Sequence, residues 1–178
     1  CKVRADIFVA QYHQEAANWS QDFNPNIQAS YNAALQMPMF DIAVARQVQM
    51  ELNQQFQRIF DDYDILLCPG VSVPPFPWTD RNPTHVDGKP VDNYMAWLAL
   101  TASLTVVGHP VTALPCGLDA QGTPFGVQVV GPMYRDHRLL SVAAALETVF
   151  ASSPDTARPT PDFDWLTQQT PNCRAAKM

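Results

Sequence analysis

The sequence predicts an α/β fold in which helices pack on a partial mixed sheet that includes a β-hairpin. Apolar residues recur at helical spacing before residue 64 and again after residue 136. Short apolar runs bounded by Pro and Gly lie between these helical stretches and are typical of strands. Strands separated by helices indicate an α/β arrangement, and three strands are too few to bury their own faces, so we expect them to be one side of a larger sheet.

The first third of the chain predicts three helices. One begins near Val3, and a second follows Asn24, an N-cap residue with Pro25 at the first helical position. The third is predicted to start at an Asp41 cap and to run for about six turns as an amphipathic helix, with apolar residues four apart at Val44, Val48, Leu52, Phe56 and Phe60.

The first stretch that is typical of a β-strand follows Asp64. Residues 65–68, Ile-Leu-Leu-Cys, form a continuous apolar run that predicts a strand buried on both faces, as in a parallel or mixed sheet. The stretch 69–90 is rich in proline and predicts an ordered, extended loop without a helix or strand. Loops of this length usually have a function or cover something.

The next part of the chain predicts a mostly buried helix over 92–107 that ends near Gly108. The turn signal Asp-Ala-Gln-Gly at 119–122 separates two strand-like stretches and indicates a hairpin. Asp136 is the predicted cap of a last helix. We therefore expect a helical segment over 1–64, an α/β region over 65–151 with the proline-rich loop 69–90, and a tail over 152–178.

Composition excludes several classes of protein. The net charge is −6 and the eleven basic residues are scattered, which argues against a nucleic-acid surface. No apolar run is long enough for a membrane span, and the first residues do not look like a signal peptide. The four cysteines lack CxxC spacing, which indicates free thiols of a cytoplasmic protein. The four histidines are isolated, so we predict no metal and no cofactor.

Three segments together resemble the C-terminal half of the amidase signature family. Residues 63–70, Tyr-Asp-Ile-Leu-Leu-Cys-Pro-Gly, are similar to its "YD-LL-P" strand and proline-rich exit. Residues 108–117 are similar to its "G-P----P-G" segment, and residues 122–132 to its "G-P-G-Q-VG" segment. Their order and spacing carry the resemblance, which extends over about residues 40–150 and is closer to general bacterial amidases than to the A-type chain of glutamyl-tRNA amidotransferase.

The resemblance implies hydrolysis or transfer of carboxamides by a Ser–cis-Ser–Lys triad that lies N-terminal to every segment matched here. A seryl nucleophile needs a base within reach and donors for the developing oxyanion. This chain has adjacent serines only at Ser152–Ser153, and its lysines are Lys2, Lys89 and Lys177. No residue here is therefore predicted to be catalytic. We expect a chain cut from a longer enzyme, because it also lacks an initiator Met.

The resemblance also implies that this region helps to wall the acyl pocket. The candidate substrate-binding residues are Pro69, Gly70, Trp97, Thr101 and Thr105. The last three are spaced four apart and would share one helix face, where ordinary core packing is the alternative role. Gly70 can instead be a turn residue with positive φ. Gln128 either faces the site or binds the backbone of a neighbouring element, and the second role is favoured because a buried amide must find partners.

Three functions remain open. The chain is expected to be the C-terminal part of an amidase acting on a small carboxamide, inactive by itself. The first alternative is a non-catalytic domain that forms a homodimer, or binds another partner, through an open sheet edge. The second is a fragment of the A-type chain of a glutamyl-tRNA amidotransferase, which is disfavoured because no Asp lies on the predicted helix between Tyr94 and Thr105.

Overall fold

A computed structural model describes residues 2–18, 24–77, 79–80, 82–91 and 95–168. The elements within these ranges alternate helices with short strands, which confirms the predicted α/β class. In chain order they are α1 (Ala5–Tyr12), α2 (Pro25–Leu35), α3 (Met39–Gln57), α4 (Ile59–Asp62), β1 (Leu66–Pro69), β2 (His85–Val86), β3 (Lys89–Pro90), α5 (Ala99–Val107), β4 (Val111–Leu118), β5 (Pro124–Val130), α6 (Asp136–Ala151) and α7 (Phe163–Gln168). The division into segments 1–64, 65–151 and 152–178 stays a prediction.

Two of the three predicted helix caps are wrong by a few residues. Asn24 caps α2 as predicted, because its side-chain oxygen accepts a hydrogen bond from Asn26 N at 2.9 Å. Helix α3 instead starts after Pro38, whose fixed φ and missing N–H suit a helix start, and Asp41 lies in the first turn. Similarly, Asp136 is the first residue of α6 and makes no side-chain cap.

Helix α3 has an apolar face that the described residues leave largely uncovered. No residue of α3 is buried, and its central stripe of Val44, Val48 and Leu52 is 41–45% exposed. Met39 and Phe40 at its start are more than three-quarters exposed. Exposed apolar stripes of this kind are typical of surfaces that contact another element or partner. The predicted helix is amphipathic as expected, but it breaks at Arg58, between α3 and α4.

The sheet consists of three antiparallel strands in the order β1-β5-β4, so the hairpin is confirmed. All pairs between these strands are antiparallel, whereas the sequence predicted a mixed sheet. The prediction that β1 is buried on both faces is also wrong, since Leu67 is 47% exposed. The cause is position: β1 is an edge strand of this sheet, while the covering helix α6 packs on β4 and β5. Strands β2 and β3 form a separate small pair inside the proline-rich stretch, where no strand was predicted.

The core lies between the sheet and α6. Leu114 of β4, Val129 of β5, and Leu139 and Ala143 of α6 are buried together. Ile65, Val127, Leu146 and Phe150 pack around them. At the other end of the hairpin, the Asp119–Gly122 turn forms as predicted, with Gly122 at φ 78°. None of the described helices combines the length and the apolar character that crossing a bilayer requires.

A buried histidine joins α3 to the segment after α5. His109 is buried against the rings of Phe56 and Phe60. Its Nε2 lies 3.0 Å from Gln57 Oε1, and its Nδ1 lies 3.3 Å from Val107 O. Burial lowers the pKa of His109 below its usual 6.5, although the Val107 carbonyl acts in the opposite direction. The neutral imidazole is therefore the form that the fold favours.

The lowering of the His109 pKa by burial predicts acid destabilisation. Because the pKa is lower in the folded chain, the unfolded chain takes up the proton first as the pH falls through 6.5. The stabilisation from neutral His109 is thus present above pH 6.5 and is lost progressively below it. We expect the free energy of unfolding by urea to fall from pH 7 to pH 5, and His109→Gln to flatten that dependence. His137→Gln, at an exposed histidine, is the control; equal slopes for both variants would contradict the prediction.

Candidate functional site

An apolar groove lies where the end of β1, the β4–β5 hairpin and the proline-rich segment 71–76 meet. Its volume is about 560 Å³. The lining residues are mostly aliphatic, aromatic or proline: Gly70, Val71, Val73, Pro74, Pro75, Phe76, Trp97, Ala113, Leu114, Pro115, Asp119, Pro124, Phe125 and Gly126. A concave apolar surface of this size is what a small-molecule site usually offers.

Gly70 lies where the backbone at the end of β1 contacts the backbone of β5 at Gly126. Its N–H donates to Gly126 O at 2.8 Å, which continues the β1–β5 pairing one residue past Pro69. A Cβ on Gly70 would lie 2.9 Å from that same oxygen. The φ of Gly70 is not positive, so the interpretation as a left-handed turn residue is wrong. Close approach of Gly126 is the reason that a side chain does not fit.

Gln128 and Thr101 hold the backbone at the groove wall. Gln128 is 7% exposed, and its Nε2 donates to Pro69 O at 3.0 Å and reaches Gly70 O at 3.5 Å. Thr101 Oγ1 donates to Gly70 O at 3.2 Å from α5. As predicted, the buried amide of Gln128 binds backbone of the neighbouring strand. The two side chains thereby connect β5 and α5 to the exit of β1.

Replacing Gln128 by Leu should loosen this wall. The change keeps the volume but removes the donor to Pro69 O, so we expect a loss of about 1–3 kcal/mol in the free energy of unfolding. Urea unfolding measures it. Gln121→Leu, at the exposed glutamine of the hairpin turn, should change stability by less than about 0.5 kcal/mol. The role assigned to Gln128 would be wrong if both variants were equally stable.

Of the five residues predicted to form the pocket wall, two line the groove and three do not. Gly70 and Trp97 line the groove, whereas Pro69, Thr101 and Thr105 do not. Trp97 precedes α5, so the three residues spaced four apart do not share one helix. Thr105 is exposed and donates to Thr101 O within α5. Thr101 and Pro69 contribute indirectly, through the hydrogen bonds that hold Gly70 and the end of β1.

Of the aromatic residues that line the groove, the sequence analysis identified Trp97 but not Phe76 or Phe125. The Phe76 ring meets the Trp97 ring edge to face, with centroids 5.6 Å apart and planes at 87°. Ser72 Oγ donates to Trp97 O and ties the proline-rich segment to the start of α5. Phe125 lines the groove from β5. The length of the proline-rich stretch was the signal for Phe76, but nothing in the local pattern singled out Phe125.

The chemistry of the described residues around the groove is not that of a metal or thiol site. Within the described ranges, no group of three His, Cys, Asp or Glu side chains could hold a metal ion. Cys68 and Cys116 are free thiols, and burial raises the pKa of Cys68, which disfavours the reactive thiolate. Cys1 and Cys173 lie outside the described residues. The described lining of the groove is apolar apart from Asp119, whose Oδ1 accepts hydrogen bonds from Gln121 N and Thr123 N in the hairpin turn.

Sequence comparisons identify relatives over most of the chain. The family model described as Amidase matches residues 13–140. The A-type chain of glutamyl-tRNA(Gln) amidotransferase from Synechococcus sp. (strain RCC307) is 36% identical over 114 residues, which is 62% of this chain and 22% of that protein. The protein of the same name from Streptococcus agalactiae serotype Ia is 35% identical over 103 residues, 58% of this chain and 20% of that protein. The chain spans about a fifth of the length of these curated relatives.

Solved structures share the fold. A bacterial aryl acylamidase of the amidase signature family matches with a TM-score of 0.71 and 21% identity, over 86% of this chain and 33% of that one. The 6-aminohexanoate cyclic dimer hydrolase, solved with its substrate, matches with a TM-score of 0.62 and 24% identity, over 83% of this chain and 33% of that one. At these identities the likeness concerns the arrangement of helices and strands.

Proposed function

Because this chain belongs to the amidase family, whose model matches residues 13–140, we propose that it is the C-terminal part of a carboxamide-hydrolysing enzyme. In this proposal it supplies sheet strands and one wall of the substrate pocket. The catalytic Ser–cis-Ser–Lys triad belongs to a part of the enzyme N-terminal to this chain. The observation that supports the proposal is the apolar groove, which is a concave surface whose described lining has no nucleophile paired with a base.

The hydrogen bonds of the serines support this division. Ser72, Ser103, Ser141 and Ser152 each donate to a backbone carbonyl, which cannot take a proton as a general base. The Lys2 ammonium is paired with Asp41 at 3.0 Å, and neither residue lines the groove. Lys89 lies in β3 and does not line the groove either. None of these four serine hydroxyls is hydrogen-bonded to a side chain that could act as its base.

Uncovered surfaces support the view that the chain is part of a larger fold. The apolar stripe of α3 is exposed, and β1 and β4 each pair on one side only among the described strands. Apolar stripes and open edges are liabilities in an isolated domain. A larger enzyme would cover them with its own helices and strands. The free thiols of Cys68 and Cys116 suit the cytoplasm as its location.

The test compares the chain with the full-length protein that contains it. Release of ammonia or amine from a set of simple carboxamides is followed for both. We expect turnover from the full-length protein and none from the 178 residues alone. Circular dichroism of the chain checks that it is folded. Amide hydrolysis by the chain alone, abolished by a single substitution within it, would contradict the proposal.

A second candidate is the A-type chain of an amidotransferase. It is favoured by the shared name of the curated relatives, which are A-type chains of glutamyl-tRNA(Gln) amidotransferase. The two candidates differ in what receives the nitrogen of the cleaved amide: the solvent for a hydrolase, glutamyl-tRNA(Gln) for an amidotransferase. Formation of amidated tRNA by the full-length protein with its partner chains would favour the second candidate over simple hydrolysis.

The open sheet edges leave a third candidate, a non-catalytic domain that pairs through them. In an antiparallel homodimer, the free edge of β1 or β4 would add to its copy, as unpaired edges tend to do. Sedimentation equilibrium of the chain over a hundredfold range of concentration tests for such a dimer. A monomer throughout that range would exclude edge pairing.

A further inference from the structure

Resting on the proposed function, we infer that the groove holds an uncharged, ring-bearing part of the amide substrate and discriminates against a carboxylate at that position. The substrate class is therefore an aryl or arylalkyl carboxamide, or a similar apolar amide. An amino-acid amide such as glutamine, which carries an α-carboxylate, falls outside it.

Aromatic surface is available in the groove. The Phe76 and Trp97 rings form an edge-to-face pair, which leaves ring faces and edges for a third ring to pack against. Phe125 is 40% exposed and lies on the hairpin side of the same groove. Val71 and Val73 complete an apolar surface on the proline-rich side. The volume of about 560 Å³ accommodates a substituted benzene ring with its amide.

The donors around Gly70, at one wall of the groove, are already engaged in hydrogen bonds. Thr101 and Gln128 donate to Gly70 O, and Gln128 also donates to Pro69 O. The Gly70 N–H is bonded to Gly126 O. A ligand in the groove thus meets packing surface on this wall, where these donors are not available to an anion. Apolar and aromatic ligand groups gain most from such a surface.

The only ionisable side chain among the described lining residues is Asp119, and it is acidic. Its Oδ1 accepts from Gln121 N at 2.9 Å and from Thr123 N at 2.8 Å, which fixes it in the hairpin turn. No described Lys or Arg lines the groove. A carboxylate entering here would lose hydration without gaining a cation, and it would approach a carboxylate of like charge.

The experiment compares matched amides on the full-length protein. Phenylacetamide, 4-carboxyphenylacetamide and glutamine are titrated by calorimetry, and the hydrolysis of each is followed in parallel. We expect phenylacetamide to bind at least about 10-fold more tightly than either carboxylate-bearing amide, because a carboxylate on this apolar surface finds no cation and lies near Asp119. Equal or tighter binding of 4-carboxyphenylacetamide would overturn the inference.

Two variants test whether the ring of phenylacetamide binds in this groove. Phe76→Ala and Phe125→Ala should each weaken phenylacetamide binding by about 5–10-fold, because an aromatic contact is removed. Phe163→Ala, at an exposed phenylalanine of α7 outside the groove, should leave binding unchanged. Unchanged binding in both groove variants would also overturn the inference.

The experiment distinguishes failure of the proposed hydrolase from failure of the groove assignment. Selective binding of phenylacetamide without hydrolysis of any amide would support the groove assignment and contradict the proposed hydrolase. Hydrolysis that is indifferent to the carboxylate, with no effect of Phe76→Ala, would support the hydrolase and contradict the groove assignment.

Discussion

Gly117→Ala should destabilise the protein by about 3 kcal/mol or more, the largest effect that we expect from a single methyl group. Gly117 has φ 73°, a left-handed conformation that costs an L-residue about 1–2 kcal/mol. It lies where the register of β4 against β5 shifts, between Pro115 and Leu118. A Cβ there would lie 2.0 Å from Asp155 O and 3.2 Å from Thr156 Cα. The chain after α6 would have to move away from the strand.

A second glycine separates strain from overlap. Gly122 has a similar φ of 78°, but a Cβ there would meet nothing within 4 Å. Gly122→Ala should therefore lose only the conformational term, about 1 kcal/mol. Urea unfolding of both variants measures the difference. If the two substitutions destabilised equally, the close packing of residues 155–156 on β4 would not be a feature of the folded protein.

Leu139→Ala should lower the free energy of unfolding by about 2–5 kcal/mol. Leu139 is 3% exposed and lies in the core cluster with Leu114, Val129 and Ala143. It also lies close to the end of β5, because a Cβ built on Gly131 would be 3.2 Å from Leu139 Cβ. Truncation removes apolar contacts with both β4 and β5 and leaves a cavity between the helix and the sheet.

The neighbouring residue is a matched control. Leu140 is 61% exposed on the same turn of α6, so Leu140→Ala should change stability by less than about 0.5 kcal/mol. Both variants keep the helix propensity of the position nearly constant, since Leu and Ala are both good helix formers. Thermal and urea unfolding give the two values. A larger loss at Leu140 than at Leu139 would contradict the packing of α6 on the sheet.

Local chemistry predicted those parts of the fold that depend on neighbouring residues. The Asn24 cap, the left-handed Gly108 that ends α5 and the hairpin turn at Gly122 each follow from one or two residues and their immediate surroundings. The long apolar repeat likewise predicted α3. These features need no knowledge of tertiary contacts, because the hydrogen bonds involved close within a few residues.

Tertiary position decided the rest. The run at residues 65–68 is apolar throughout, yet β1 is an edge strand of the described sheet with Leu67 half-exposed. Gly70 was predicted to bind substrate, with a turn of positive φ as the alternative, whereas the structure shows that Gly126 O lies against it and leaves no room for a side chain. Nothing near Gly70 in the sequence indicates that contact, since its partner is more than fifty residues away along the chain.

Only some of the residues that line the groove could be predicted from the sequence. Gly70 and Trp97 were identified from the resemblance to the amidase signature family, and both line the groove. Thr105 was included by its spacing from Trp97, but Trp97 precedes α5 and Thr105 is not part of the groove lining. Phe125 was missed because strand residues that alternate between faces can be assigned to a site only after the strand's partners are known.

The most direct test of the central claim is to find the reactive serine. A serine-directed fluorophosphonate is incubated with the full-length protein, and the labelled peptide is identified by mass spectrometry, with and without an excess of competing amide. We predict a single amide-protected label on a serine outside these 178 residues. A protected label on a serine inside them, such as Ser72 beside the groove, would contradict the claim that this chain binds substrate while another part of the enzyme reacts with it.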